Sequence, residues 1–145
     1  MKTYIFKHSL LGVILGLSIL GCTEGDKFDY NKNMAFITGT ETTPVTKFVV
    51  EDTPSSYAVT ASTTDKVDKD VNVKFAIDRS LVETYNNEHN TKYYAIPEGA
   101  VTLEDADAVI QTGKAFSTPA TVKVISTEDF AEGRVYVVPV TMVEV

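Results

Sequence analysis

From Met34 onward the chain is a series of short β-branched and aromatic runs separated by turn residues, and within each run the apolar positions recur with a period near two. In the clearest run, 71–78, Val71, Val73, Phe75 and Ile77 alternate with Asn72, Lys74, Ala76 and Asp78, so one face meets a core and the other meets water. Strands are predicted at 34–38, 45–51, 57–62, 71–78, 100–103, 121–126 and 134–143. Seven short strands in about 110 residues predict an all-β fold, an antiparallel β-sandwich of immunoglobulin type. Pro139 lies inside the last run and has no N–H to donate, which places that strand at an edge or at a bulge. One segment departs from the period of two. Leu81, Val82 and Tyr85 share a helical stripe in 80–88, directly after the best strand. Asp78 or Ser80 can cap this helix, Ser80 and Glu83 have capping-box spacing, and the Asn-rich stretch 86–90 suits its C-terminus. Phe75, Ile77, Leu81, Tyr85, Val122 and Val124 are the expected shared core.

The first 22 residues follow a different logic. Lys2 and Lys7 precede an apolar run of 12 residues, 9–20, and the run ends in Gly21-Cys22. A bilayer span needs about 20 apolar residues, so this is an export leader and not a transmembrane helix; the Gly12–Gly16 spacing adds nothing in so short a run. The sequence Leu17-Ser18-Ile19-Leu20-Gly21-Cys22 resembles a bacterial lipobox, in which the cysteine sulfur takes a diacylglycerol anchor. Ile19 and Leu20 depart from the commoner pattern of Leu followed by a smaller residue. Cys22 is the only cysteine, so no intramolecular disulfide exists. The expected organisation is a signal peptide at 1–21, a lipidated polar tether at 22–33 with Glu24 and Asp26 near its start, and one domain at 34–145. Lipidation at Cys22 implies an outer-membrane lipoprotein, surface-exposed, with the membrane as its first partner.

Composition narrows the rest. Hydrophobic residues make up 43% and charged residues 23%, as in an ordinary packed domain. The 13 basic residues include the two leader lysines, so beyond the leader 20 acids face 11 bases. A phosphate backbone would demand the opposite balance, and nucleic acid is excluded as a partner.

The residues from Val71 to Val143 resemble a domain family of Bacteroidetes surface lipoproteins known as domain of unknown function 1735. The likeness is carried by Val73, Phe75, Ile77 and Asp78, then Ser80-Leu81-Val82, Tyr85-Asn86, Asn90-Thr91, Tyr94 and Ile96-Pro97, and further on by Leu103, Val109-Ile110, Gly113, Ser117, Val122, Val124, Tyr136 and Pro139-Val140. Ile96 stands where the family usually has Leu, and Val101 where an aromatic is common. The resemblance implies an immunoglobulin-like fold at the front of proteins that carry a second module, such as a family 18 glycoside hydrolase or a glycan-binding domain. It therefore implies an accessory role in polysaccharide utilisation.

Candidate chemistry is sparse. Beyond the leader there is one histidine, His89, at the polar end of the helix, where a Ser-His-Asp triad or a zinc site would have to use it. Asp65, Asp68 and Asp70 offer oxygen ligands for Ca²⁺ but lack the glycine and the spacing of a calcium loop, and Glu104, Asp105 and Asp107 read as a second solvated loop. No spacing marks a carboxylate pair for sugar hydrolysis. No cofactor and no metal are expected. Tyr93 and Tyr94 are adjacent, so in an extended segment they point to opposite faces. With Tyr94 expected to pack beside Pro97, Tyr93 is the candidate for stacking on a sugar ring.

These readings combine into a non-catalytic, lipid-anchored surface domain acting as a spacer or interaction module in glycan capture, its partner a polysaccharide or a neighbouring surface protein. The alternatives are a subunit of an assembled pilus or adhesin, in which edge strands would pair between chains, and a glycoside hydrolase fragment.

Overall fold

The alternating run becomes the long central strand on which the domain is built. The computed structural model describes residues 33–145, which form one compact unit. The expected leader, Cys22 and the tether up to residue 32 lie outside the described residues. In chain order the elements are β1 (Ala35–Ile37), β2 (Ser55–Val59), β3 (Ala61–Thr63), β4 (Val71–Ile77), α1 (Leu81–His89), β5 (Tyr93–Ala95), a 3₁₀ turn (Glu98–Ala100), β6 (Val101–Glu104), β7 (Asp107–Ile110), β8 (Ala120–Val124), β9 (Val135–Val137) and β10 (Val140–Glu144).

Two three-stranded antiparallel sheets, β10-β4-β7 and β2-β8-β6, make the body of an all-β sandwich. Among the described residues the one α-helix follows β4, the middle strand of its sheet, as the sequence predicts. Val73 and Phe75 of β4 and Ala108 and Ile110 of β7 point inward from one sheet, and Val59, Val101, Val122 and Val124 from the other. Phe75 is 2% exposed and Ile110 wholly covered, so both bury nearly their full apolar area. The run 55–63 divides between two sheets. Its first half, β2, pairs with β8, whereas β3 pairs with β1 and bridges through Ser62 to Phe116. Ala61, fully buried, has its N–H bonded to Ser117 Oγ at 2.9 Å just after the switch.

Several expectations need correction. No strand forms at 45–51. Phe48 and Val50 do pack on the core while Val49 is 62% exposed, so the alternation is physically expressed, but the 45–50 segment makes no ladder and β2, at the edge of its sheet, bonds only to β8. Apolar alternation selects a face; a strand also needs a bonded partner. Glu104, Asp105 and Asp107 are all exposed, as expected, but of the three only Asp105 lies in the turn itself. Glu104 ends β6, Asp105 takes a left-handed conformation (φ 53°) and Asp107 starts β7, so these three residues carry the chain from one sheet to the other. The 134–143 run is two strands. β9 pairs elsewhere, Pro139 sits at the changeover with its carbonyl accepting Asp78 N–H at 2.9 Å, and β10 is an edge strand with an irregularity between Met142 and Glu144.

The helix begins at Leu81 with Ser80 as N-cap residue, yet Ser80 makes no side-chain cap bond and the capping box with Glu83 is not formed. Asp78 does the work, since its Oδ1 accepts Ser80 N–H at 3.0 Å and Ser80 Oγ–H at 2.6 Å. Of the expected stripe only Val82 is buried. Leu81 is 40% exposed and Tyr85 half-buried, so neither belongs to the core that Phe75, Val122 and Val124 share, with Ile77 packed at its margin. In the acidic loop, Val67 is buried and exchanges backbone bonds with Lys114 and Gly113. Asp70 Oδ1 accepts both the N–H and the hydroxyl of Thr112 at 2.8 Å.

Candidate functional site

The most distinctive chemistry lies on a small ribbon outside the two main sheets, where β5 and β9 pair in parallel as Tyr93↔Val135, Tyr94↔Tyr136 and Ala95↔Val137. Each strand runs out at a proline with the same offset: Tyr94 precedes Ile96-Pro97 as Tyr136 precedes Val138-Pro139. Neither proline can donate to a ladder, so the ribbon closes with the bond from Ile96 N–H to Val137 O at 3.0 Å.

Three residues is little for a strand, and side chains hold it in place. Asn86, on the last turns of α1, accepts Tyr93 N–H at 2.9 Å and Thr91 Oγ1–H at 2.7 Å on its Oδ1, while its Nδ2 donates to Tyr93 O at 2.9 Å. The Asn86 carbonyl accepts the N–H of Asn90, which takes the left-handed C-cap conformation, and that of Thr91. On the far side Arg79 Nε donates to Ile96 O at 3.0 Å. Tyr-Asn, Asn-Thr and Ile-Pro thus form one clamp tying helix to ribbon, and most of the resemblance in this stretch is structural.

The clamp decides which tyrosine faces out, and it reverses the expected order. Tyr93 is half-buried, its ring stacked at 6.0 Å on Tyr85, whose other neighbour is the exposed His89 at 4.1 Å. Tyr94 is 41% exposed. Its cross-strand neighbour Tyr136 lies 6.0 Å away at 48°, and Phe130 stacks on Tyr136 at 4.3 Å and 21°. The Tyr136 hydroxyl accepts Ala131 N–H at 3.0 Å, fixing the loop that carries Phe130. The guanidinium of Arg134 sits over the Tyr94 ring, 4.6 Å from its centroid. The result is an aromatic shelf capped by one cation. Sequence reasoning missed Phe130 and Arg134 and gave Tyr136 a place in the resemblance but no site role; the repeated tyrosine-to-proline spacing was the available signal.

Beside the shelf runs an open groove of about 880 Å³, whose lining includes Phe48, Tyr57, Leu81, Tyr85, Phe130 and Val138. A smaller recess of about 230 Å³ lies between Lys74, Asp107 and Glu144. Among the described residues no group of three or more His, Cys, Asp or Glu side chains is placed to hold a metal ion. Two hydrogen bonds from Thr112, backbone first and hydroxyl second, hold the Asp70 carboxyl below the usual carboxylate range. That carboxylate stabilises a turn. His89 stacks on an aromatic ring and shows no hydrogen bond to a serine or aspartate among the described residues, which is the geometry of a helix end.

A model of a family of N-terminal domains matches residues 29–145. The chain belongs to that family. The family is one of N-terminal domains, the position that the resemblance implies. No curated protein matches. Among solved structures, the chain is similar to a candidate carbohydrate-binding protein from Bacteroides ovatus, with TM-score 0.59 and 22% identity over 66% of this chain and 28% of that one. It is similar to a two-domain protein of unknown function from Bacteroides fragilis, with TM-score 0.60 and 14% identity over 86% of this chain and 42% of that one. EndoBT-3987 from Bacteroides thetaiotamicron, solved with a Man5GlcNAc product, gives TM-score 0.49 and 23% identity over 60% of this chain and 21% of that one. The first two likenesses bear on the fold alone. The chain spans between about a fifth and two fifths of the length of these proteins.

Proposed function

We propose that this chain is a non-catalytic accessory domain of a surface glycan-handling system, related to domain of unknown function 1735, exported and lipid-anchored through Cys22 to the outer membrane with the β-sandwich facing outward. The observation that carries the reading is membership of an N-terminal-domain family over 29–145, coupled with a fold that occupies a minor part of a candidate carbohydrate-binding protein. In such a protein the front module positions its neighbour or presents a shallow contact surface of its own. The described residues offer a shelf of aromatic rings and one guanidinium, groups that hold a sugar without cleaving it. Acyl chains on Cys22 contribute about 0.8 kcal/mol per buried CH₂, which fixes the domain at the membrane and raises the effective concentration of neighbouring modules.

The test is made in the source cell. The parent chain is expected to resist a carbonate wash and to be cleaved by protease added to intact cells, while Cys22→Ala is exported but washes off. A Cys22→Ala chain held as firmly as the parent would remove the lipid anchor from the reading, and release of reducing sugar by the repurified chain would remove the non-catalytic role.

A further inference from the structure

The geometry points to a ligand class for the shelf: Tyr94 and Arg134 form a receptor for a carboxylate-bearing sugar residue, the uronate or sialate unit of an acidic polysaccharide. This rests on the reading of the chain as a glycan-handling module and names what its exposed surface takes. The argument begins with Arg134, one of only two arginines in the chain. The other, Arg79, is engaged on the Ile96 carbonyl inside the clamp. Arg134 is exposed, lies 4.6 Å over the Tyr94 ring, and makes no ion pair with an acid among the described residues. A guanidinium laid over an aromatic ring keeps its fork of N–H donors at the edge, already oriented, and that fork matches a carboxylate with two parallel bonds. The ordering cost of a long side chain is met in part before the ligand arrives.

The rings supply the second half. Tyr94, 41% exposed and held abreast of Tyr136 by the β5–β9 register, has one face under the Arg134 guanidinium and leaves the rest of its exposed ring to the C–H side of a pyranose, while Phe130 stacks on Tyr136. A free carboxylate ligand would use only the cation and a neutral sugar only the rings. A uronate uses both.

The overall charge sharpens this selectivity. With 20 acids against 11 bases beyond the leader, an anionic polymer feels no long-range attraction. The Debye length is about 8 Å at physiological ionic strength, so the recognition acts at contact and added salt relieves background repulsion without dissolving the stacked pair. This is the opposite of a basic patch, whose affinity collapses with salt.

The experiment titrates the full chain in detergent, by calorimetry, with polygalacturonate, alginate, hyaluronan and polysialate, each beside its methyl-esterified or carboxyl-reduced counterpart, and with polyglutamate. At least one acidic polysaccharide is expected to bind tenfold or more tightly than its neutral counterpart and than polyglutamate. Arg134→Gln is expected to erase that difference and Tyr94→Leu to weaken acid and ester alike, both with unchanged thermal melting. Equal affinity for acid and neutral forms, or acid binding unaffected by Arg134→Gln, overturns the ligand class while leaving a glycan-binding module. Polyglutamate binding as tightly as any glycan also overturns it and assigns the site to acidic peptides. If none of the polymers binds, the receptor is refuted and the spacer half of the functional reading stands.

Discussion

Strand β4 and the β5–β9 ribbon are built on opposite principles. β4 is seven residues long, lies between two partners and is held by what its inward side chains bury: Val73 and Phe75 are both 2% exposed. The ribbon strands have three residues each, and side-chain bonds from Asn86 and Arg79 tie β5 down from outside the ladder. A strand anchored by burial spends its apolar groups on stability. One anchored by polar clamps can leave an aromatic group at the surface, as β5 leaves Tyr94. The difference teaches where to look for function in a small sandwich: at the element whose stability comes from somewhere other than its own hydrophobic face.

The contrast can be broken at its strongest point first. Phe75→Ala removes a buried ring and leaves a cavity between the two sheets, with an expected loss of about 3–5 kcal/mol in denaturant unfolding. A loss of surface-mutation size would show that β4 is not the burial-anchored element. Asn86→Ala deletes three side-chain hydrogen bonds in a half-buried setting, and about 1–3 kcal/mol is expected. The sharper readout is amide exchange. Tyr93 N–H should lose its protection while amides of β4 and β8 keep theirs, and uniform loss across the domain would mean the ribbon is no separate unit.

Leu81→Ala is expected to cost about 1 kcal/mol or less, because Leu81 is 40% exposed despite its place on the helical stripe. A cost matching that of Phe75→Ala would return Leu81 to the core. The smallest effect concerns Asp70. Its folded-state pKa is depressed by Thr112, so its contribution is fully present above the unfolded aspartate value and is lost as pH falls through the lower folded one. Asp70→Asn is therefore expected to lower the neutral plateau slightly and to converge with the parent in acid, which flattens the acid limb of the stability profile, as measured by denaturation midpoints between neutral and acid pH. An unchanged acid limb would place the Thr112 contact outside the stability balance.

Much of this protein is legible without coordinates, and the physical reason is that burial leaves a local period. The alternation in 71–78 determined a strand and its inward face, the stripe after it determined the helix, and adjacency of Tyr93 and Tyr94 determined that they point apart. Tertiary structure decided everything that depends on a partner distant in the chain. Whether 45–50 joins a ladder is likewise decided by the fold: β2, at the edge of its sheet, bonds only to β8, and the segment rests Phe48 and Val50 on the core without pairing. The assignment of β6 and β7 to different sheets turns on one left-handed residue, Asp105, that no apolar pattern marks. Which tyrosine faces out was settled by Asn86 and Tyr85 drawing Tyr93 toward the helix, and the shelf exists because a parallel register brings Tyr136 beside Tyr94 from 42 positions away. A period along the chain can say that a residue has an inside and an outside; only the packed fold says what stands opposite it.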